Sequence, residues 1–228
     1  ELGGKSANVI LPGTDLGGPV AKGVANAYLN SGQTCSAWTR MLVPSDRYAE
    51  AVDLAATNAA KYTCGDPRDP KTRLGPLVNA KQRERVRGYI ETGVREGAEV
   101  VAGGPAAPDG LEQGFYVRAT VLAGARPDAT VSQEEIFGPV LVILPYGDPD
   151  EAVAIANGTQ YGLAGAVFGP DEETAVAFAR RMKAGQIDIN GGRFNPQAPF
   201  GGYKRSGIGR EFGAHGLSEF LEYKSLQM

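Results

Sequence analysis

Cys35 and Glu1 are the two side chains whose types and surroundings suggest covalent chemistry. Cys35 closes the run Ser31-Gly32-Gln33-Thr34-Cys35, just after a stretch with helical spacing, and Glu1 opens the run Glu1-Leu2-Gly3-Gly4-Lys5. A thiolate attacks a carbonyl carbon, and the acyl-sulfur species that follows needs a base to activate the water that releases it. One thiol and one carboxylate divide that work between them. A free cysteine taken alone is more often a small buried hydrophobe than a nucleophile, so the weight falls on the segments around it.

The elements that must position these residues alternate between strand and helix. Asn8 to Leu11 reads as a short strand. Pro19 to Asn30 reads as a helix, with Val20, Val24, Ala27 and Tyr28 on one face and a stop near Gly32. The thiol loop therefore follows a helix and precedes a strand at Arg40 to Pro44. Asp46 to about Tyr62 is a helix capped by Ser45 or Asp46, so that Cys64 falls at its end. Another starts at Asn79, with Gln82 completing a capping-box spacing and Val86, Tyr89, Ile90 and Val94 facing inward up to Gly97. Strands are expected near Val100, at Val117 to Leu122 and at Pro139 to Leu144, followed by a helix over Asp150 to Asn157. A buried strand over Leu163 to Phe168, a helix over Asp171 to Lys183 and a strand over Gln186 to Asn190 complete the series. This order predicts an α/β fold, a largely parallel sheet covered by helices.

Composition narrows the function class. The 228 residues can bury a full core, and 42% hydrophobic with 21% charged is ordinary for a globular domain. A net charge of -3, a pI near 5.4 and no run of Lys or Arg argue against a nucleic-acid or anionic-membrane partner. No stretch approaches the roughly 20 apolar residues of a membrane span, and no signal peptide is visible. Two cysteines are too few for a disulfide framework, which suits a reducing, cytoplasmic compartment, with Cys64 structural. The one histidine, His215, has no triad pattern about it and, with two distant cysteines, cannot build a zinc site.

Gly207, Gly209 and Gly213 come close to a dinucleotide fingerprint. No strand precedes them, however, and too little chain follows for a βαβ unit, so close packing is the better reading.

Four segments carry a family resemblance: Glu1-Leu2-Gly3-Gly4-Lys5, Gly32-Gln33-Thr34-Cys35, Glu134-Glu135-Ile136-Phe137-Gly138-Pro139 and Pro199-Phe200-Gly201-Gly202-Tyr203-Lys204. In type and order they resemble the signature segments of the NAD(P)-dependent aldehyde dehydrogenases. Gly65-Asp66-Pro67, Gly75-Pro76-Leu77, Tyr161-Gly162-Leu163 and Ser206-Gly207-Ile208-Gly209-Arg210-Glu211 fill the intervals. Family members are roughly twice this length, so a chain that opens inside a motif reads as the catalytic half of a longer enzyme.

The resemblance implies roles. Cys35 would be the nucleophile, its own backbone N–H one oxyanion donor, and Glu1 the general base. Glu135 would take the nicotinamide ribose, Phe137 would flank the nicotinamide, and Gln82 and Arg85 match positions near the adenosine-side ribose. Phe194, Phe200 and Trp38 match aromatics of the substrate funnel, although aromatics usually just pack. Gln33 suits a loop-stapling amide and is given no catalytic role. The run Asn190-Gly191-Gly192-Arg193 departs from better-known members, which leaves the aldehyde unspecified.

NAD or NADP is the implied cofactor, held mostly by a cofactor-binding domain of the same enzyme that precedes this chain. The implied partners are a small-molecule aldehyde and further copies in a homodimer or homotetramer. Residues 1–205 read as the catalytic domain, and 206–228 as a C-terminal helix and oligomerisation strand of the same unit. Two readings from other classes stand beside this one: a Cys-dependent esterase and a non-catalytic oligomerisation fragment. Cofactor dependence separates the esterase from the dehydrogenase, and the presence of Glu1 with Cys35 favours chemistry over a scaffold.

Overall fold

The computed structural model describes residues 1–228. Seven strands form one sheet: β1 (Ala7–Ile10), β2 (Arg40–Pro44), β3 (Glu99–Ala102), β4 (Thr120–Ala123), β5 (Val140–Tyr146), β6 (Ala164–Phe168) and β7 (Gln186–Ile189). Their spatial order is β3-β4-β5-β2-β1-β6-β7. Every neighbouring pair is parallel except β3 with β4, which is antiparallel and slips register between Val100 and Ala102. In the centre, Asn8 stands opposite Met41 and Ala166, and Met41 opposite Ile143.

The central strands are apolar on both sides because helices cover both faces. Alternation along them divides the core in two. Ile10, Met41, Val43, Leu141 and Ile143 pack with Val20, Val24 and Ala27 of α1 (Gly17–Ala27) and with Ala51, Ala55 and Ala59 of α2 (Tyr48–Ala59). Val9, Leu42, Val142, Leu144 and Val167 face the other way. They meet Val86 and Ile90 of α3 (Ala80–Arg95), Ala152 and Ile155 of α5 (Pro149–Asn157), and Ala175 and Phe178 of α6 (Glu172–Ala179). Each fully buried aliphatic side chain contributes about 1.5–3 kcal/mol. A short α4 (Thr130–Gln133) precedes the loop that leads into β5.

Several local expectations needed correction. The helix expected from Asp46 begins as a 3₁₀ turn over Ser45–Arg47, and α2 starts at Tyr48 with no side-chain cap. It ends at Ala59, leaving Cys64 in an isolated bridge with Leu74 rather than at a helix end. On α3 the Asn79 side chain does accept the Gln82 N–H, but Val94 is exposed and Gly93 is buried in its place. A side chain at Gly93 would press within 2.9 Å of Val131, so the missing Cβ is what lets α3 lie on α4. Helix α6 stops at Ala179 because Arg181 and Met182 donate three residues back instead of four. The last helix, α7 (Gly213–Ser218), is short, and residues 221–228 form no strand. A strand exists only by pairing, and no strand of this chain pairs with that segment.

Candidate active site

Three adjacent parallel strands, β1, β2 and β5, are entered from the same edge of the sheet, so the loops before them converge. These loops carry Glu1 to Gly4, the thiol loop and Glu135 to Gly138. The site thus lies at the amino ends of the strands, opposite to the usual ligand position in open α/β sheets.

The thiol loop is held in an unfavourable backbone shape. Asn30, Ser31 and Gly32 have φ of 52°, 56° and 73° in succession, and left-handed conformations in non-glycine residues cost on the order of 1 kcal/mol or more each. Side-chain staples offset this. Gln33 Oε1 accepts from Val78 N–H at 2.9 Å and its Nε2 donates to the Asn30 carbonyl at 3.3 Å. Ser31 Oγ donates to Gly75 O at 3.0 Å, and Thr34 Oγ1 donates to Leu29 O at 3.1 Å. The stapling role expected of Gln33 is therefore what the geometry displays. Gly32 is required for a further reason: a Cβ there would stand 2.0 Å from the Gly138 carbonyl oxygen, so the thiol loop and the loop before β5 touch backbone to backbone.

Cys35 emerges half-buried, with its Sγ 3.9 Å from Glu1 Oε2. Burial is the main cause that pushes its thiol above the ordinary cysteine range, and the Glu1 carboxylate pushes the same way. The backbone N–H groups of Ser36 and Cys35 pull the other way by donating to the sulfur. At neutral pH the group is thus a protonated thiol beside a carboxylate and two amides. Glu1 itself is exposed and borders a cavity of about 140 Å³ that Phe200, Ser206, Arg210 and Glu211 also line. Leu2 N–H ties its segment to the Ser206 carbonyl at 3.0 Å.

Glu135 is half-buried, and its Oε1 accepts the Gly4 N–H at 2.9 Å. Burial raises its carboxyl, while the Gly4 N–H, Arg85 and Lys5 oppose the rise. Phe137 sits in the left-handed region at φ 61° and is half-buried. Gln82 and Arg85 both turn to this loop. Gln82 Nε2 donates to the carbonyls of Ile136 and Phe137 at 3.1 and 2.8 Å, and Arg85 donates to the Glu135 carbonyl at 2.7 Å. The Gln82 amide, expected near a ribose, thus spends its donors on the backbone that carries Glu135 and Phe137.

Of the expected funnel aromatics, Phe194 and Phe200 pair edge to face with centroids 6.5 Å apart. Phe212, not singled out in the sequence, packs on Phe194 at 5.6 Å. Its place beside a glycine-rich turn was the only available signal. Trp38 is 6% exposed and stacks edge to face on Phe168, as a core residue does. Arg193 is exposed, with no partner in the chain.

Lys5 was expected only as part of a motif, yet it is fully buried with no hydrogen-bond partner for Nζ. Burial, together with the buried guanidinium of Arg40, lowers it from 10.5 to about 7. Arg40 donates to the carbonyls of Lys5, Ile155 and Ala156 at 2.8–2.9 Å, locking β2 to the opening segment and to the end of α5.

The fold and the site together define a mostly parallel α/β domain that presents a thiol to a carboxylate at the amino ends of its central strands. Comparison with known proteins gives the family. Residues 1–226 match the aldehyde dehydrogenase family, and the chain belongs to it. Two relatives, from Staphylococcus saprophyticus and Staphylococcus haemolyticus, are 43% and 44% identical over 226 residues, spanning 99% of this chain and 48% of theirs. Among solved structures, a variant of aldehyde dehydrogenase C from Pseudomonas syringae with NAD+ and octanal superposes with a TM-score of 0.96 at 51% identity. That match covers 97% of this chain and 46% of the other. An aldehyde dehydrogenase of Mycobacterium tuberculosis in complex with NAD+ gives 0.94 at 44% identity, covering 96% and 45%. The chain spans about half the length of the relatives it matches. No helix is long and apolar enough to cross a membrane.

Proposed function

We propose that this chain is the catalytic half of an NAD(P)-dependent aldehyde dehydrogenase, oxidising an aldehyde to a carboxylic acid, with Cys35 as nucleophile and Glu1 as general base. The observation that carries this reading is the approach of the Cys35 thiol to the Glu1 carboxylate, 3.9 Å apart, at a point where backbone amides face the sulfur. The residues present suit the nicotinamide-riboside end of a dinucleotide. Glu135 Oε2 accepts no hydrogen bond from the chain and faces Gly3, where no Cβ intrudes, and a ribose diol is well matched by such an acceptor. Phe137 offers an aromatic edge on the same loop.

In this reading Cys35 gives its proton to solvent and, as the thiolate, attacks the aldehyde carbon. The carbon–sulfur bond forms as the carbonyl electron pair moves onto oxygen, and the Cys35 N–H donates to that oxygen in the thiohemiacetal. NAD(P), which Glu135 and Phe137 would hold by its nicotinamide-riboside end, would supply the hydride acceptor needed to oxidise the thiohemiacetal to a thioester. Glu1 then takes a proton from water, whose oxygen attacks the thioester, and collapse expels the Cys35 thiolate with release of the acid. Glu135 orients the riboside, and Phe194, Phe200 and Phe212 line the approach for the aldehyde. The exposed Phe220, Leu221, Tyr223 and Leu226 support reading residues 206–228 as the segment through which copies associate as a dimer or tetramer. The two free cysteines suit a cytoplasmic enzyme.

Rapid mixing with the full-length enzyme tests the division of labour. Glu1→Gln should leave a first-turnover burst of NADH while slowing steady-state turnover on the order of a hundredfold. Loss of the burst together with the turnover would overturn the assignment of Glu1 to the release step.

A further inference from the structure

Glu135 touches the opening segment as closely as it could touch a cofactor. Its Oε1 holds the Gly4 N–H at 2.9 Å. A Cβ built at Gly3 would lie 2.4 Å from Oε2 and 2.7 Å from Oε1, and Gly3 has φ 87°, so glycine there leaves the carboxylate its room twice over. Gly4 is confined on its other side, where a Cβ would stand 2.7 Å from the carbonyl oxygen of Cys35. The only other backbone anchor of residues 1–4 is the Leu2 N–H on Ser206. Glu1 thus hangs from a turn held at two peptide groups, one of them by Glu135. The backbone that carries this carboxylate is held in turn by α3, through Arg85 on the Glu135 carbonyl and Gln82 on the next two. The charged groups that face it are Arg85 from α3 and Lys5 from the opening segment, with the Cys35 thiol nearby.

We propose that Glu135 is a positioning residue for Glu1: by gripping the Gly4 N–H, it fixes the turn from which the Glu1 carboxylate reaches Cys35. The inference rests on the reading of Glu1 as the base and extends it. One carboxylate then serves both loops, aiming the base as well as facing the riboside.

The 228-residue chain labelled with nitrogen-15 glycine tests this. The Gly4 amide proton should titrate with Glu135, at a midpoint above the ordinary carboxylate range. Glu135→Gln, whose amide oxygen can still accept, should abolish the titration and keep the amide proton downfield; Glu135→Leu should move it upfield. Both variants remove the charge, and only leucine removes the acceptor. Without that grip the Glu1 carboxylate moves off the sulfur. Cys35 in the leucine variant should then react with iodoacetamide about threefold faster at pH 7 than in the glutamine variant, its profile shifted to lower pH. A Gly4 resonance indifferent to pH and to both substitutions, or coincident Cys35 profiles in the two variants, would overturn the proposal. If the leucine variant fails to fold, the titration in the wild type and its disappearance in the glutamine variant still decide it. Failure of the base reading shows elsewhere, as unimpaired steady-state turnover of Glu1→Gln in the full-length enzyme.

Discussion

Cys35 and Cys64 are both half-buried free thiols, and burial raises the pKa of each, yet different groups face the two sulfurs. Cys35 meets a carboxylate and two backbone amides in a loop strained through three successive left-handed residues. Cys64 sits in an isolated bridge with Leu74, donates to the Val117 carbonyl at 3.5 Å, and borders a cavity of about 480 Å³ between α2 and the β3–β4 edge. Its one charged influence is Arg118, whose guanidinium is already taken by Asp109 at 2.7 Å. The difference teaches that burial alone does not mark a reactive thiol. What distinguishes Cys35 is that strained backbone, two amides and a carboxylate able to serve a later step are brought to it, and that the strain is held by contacts from two other loops.

Removing each thiol breaks the comparison most sharply. In the full-length enzyme Cys35→Ala should lower aldehyde oxidation by about 10⁴-fold or more, because the nucleophile itself is lost. Cys64→Ala should leave turnover within about twofold and lower stability by about 1 kcal/mol, the value of a small half-buried side chain. Steady-state kinetics with urea unfolding measures both, and a large kinetic effect at Cys64 would reverse the ranking of the two sites.

The strain itself can be probed at Gly32. Alanine there would meet the Gly138 carbonyl oxygen at 2.0 Å while holding φ at 73°, two penalties at once. Gly32→Ala should destabilise the chain by about 3 kcal/mol or more and part the thiol loop from the loop before β5. Ala substitution at Gly97, which also has positive φ but nothing within reach of a Cβ, should cost only about 1 kcal/mol. Equal losses at the two positions would mean that backbone contact between the loops does not hold the thiol loop in place.

Much of this was legible in the sequence, for physical reasons that differ from place to place. The central strands read close to their observed bounds because Val9, Leu42 and Val142 belong to apolar runs, as a sheet covered on both faces requires, whereas the strand expected over Val117 to Leu122 is confined to Thr120–Ala123. The pairing of Cys35 with Glu1 rested on the family segments around them more than on residue type, and the distance between them follows from β1 and β2 being neighbours in the sheet. The tie from Glu135 to Gly4 was not legible. It is a backbone hydrogen bond across loops far apart in sequence, and the expectation for Glu135 concerned a ligand instead. The buried state of Lys5 was hidden for a like reason: lysine is almost never fully buried, yet the fold encloses it beside Arg40, which donates to its carbonyl. Helix ends differ where the closing turns tighten, as after Ala179, and the tail, expected as a strand that pairs across a subunit boundary, has no neighbouring strand within the chain.

The smallest expected effect is also the most selective for the two thiol environments. In this chain the Glu1 carboxylate raises the Cys35 thiol, and it contributes nothing at Cys64. Glu1→Gln removes that charge while keeping the shape of the side chain. Because a nearby negative charge disfavours the thiolate, its removal lowers the pKa of Cys35 and enlarges the reactive fraction below that pKa. Alkylation of Cys35 by substoichiometric iodoacetamide at pH 7 should accelerate by about two- to threefold, and the gain should vanish above the pKa, where the thiol is ionised in both proteins. Cys64 should be labelled more slowly than Cys35 in both, at a rate the substitution does not change. Peptide mapping of the labelled chains reads the two sites separately. Preferential labelling of Cys64 would reverse the ranking of the two thiols, and a Cys35 rate unmoved by Glu1→Gln would mean that the carboxylate does not act on the sulfur across the 3.9 Å that separates them in the fold.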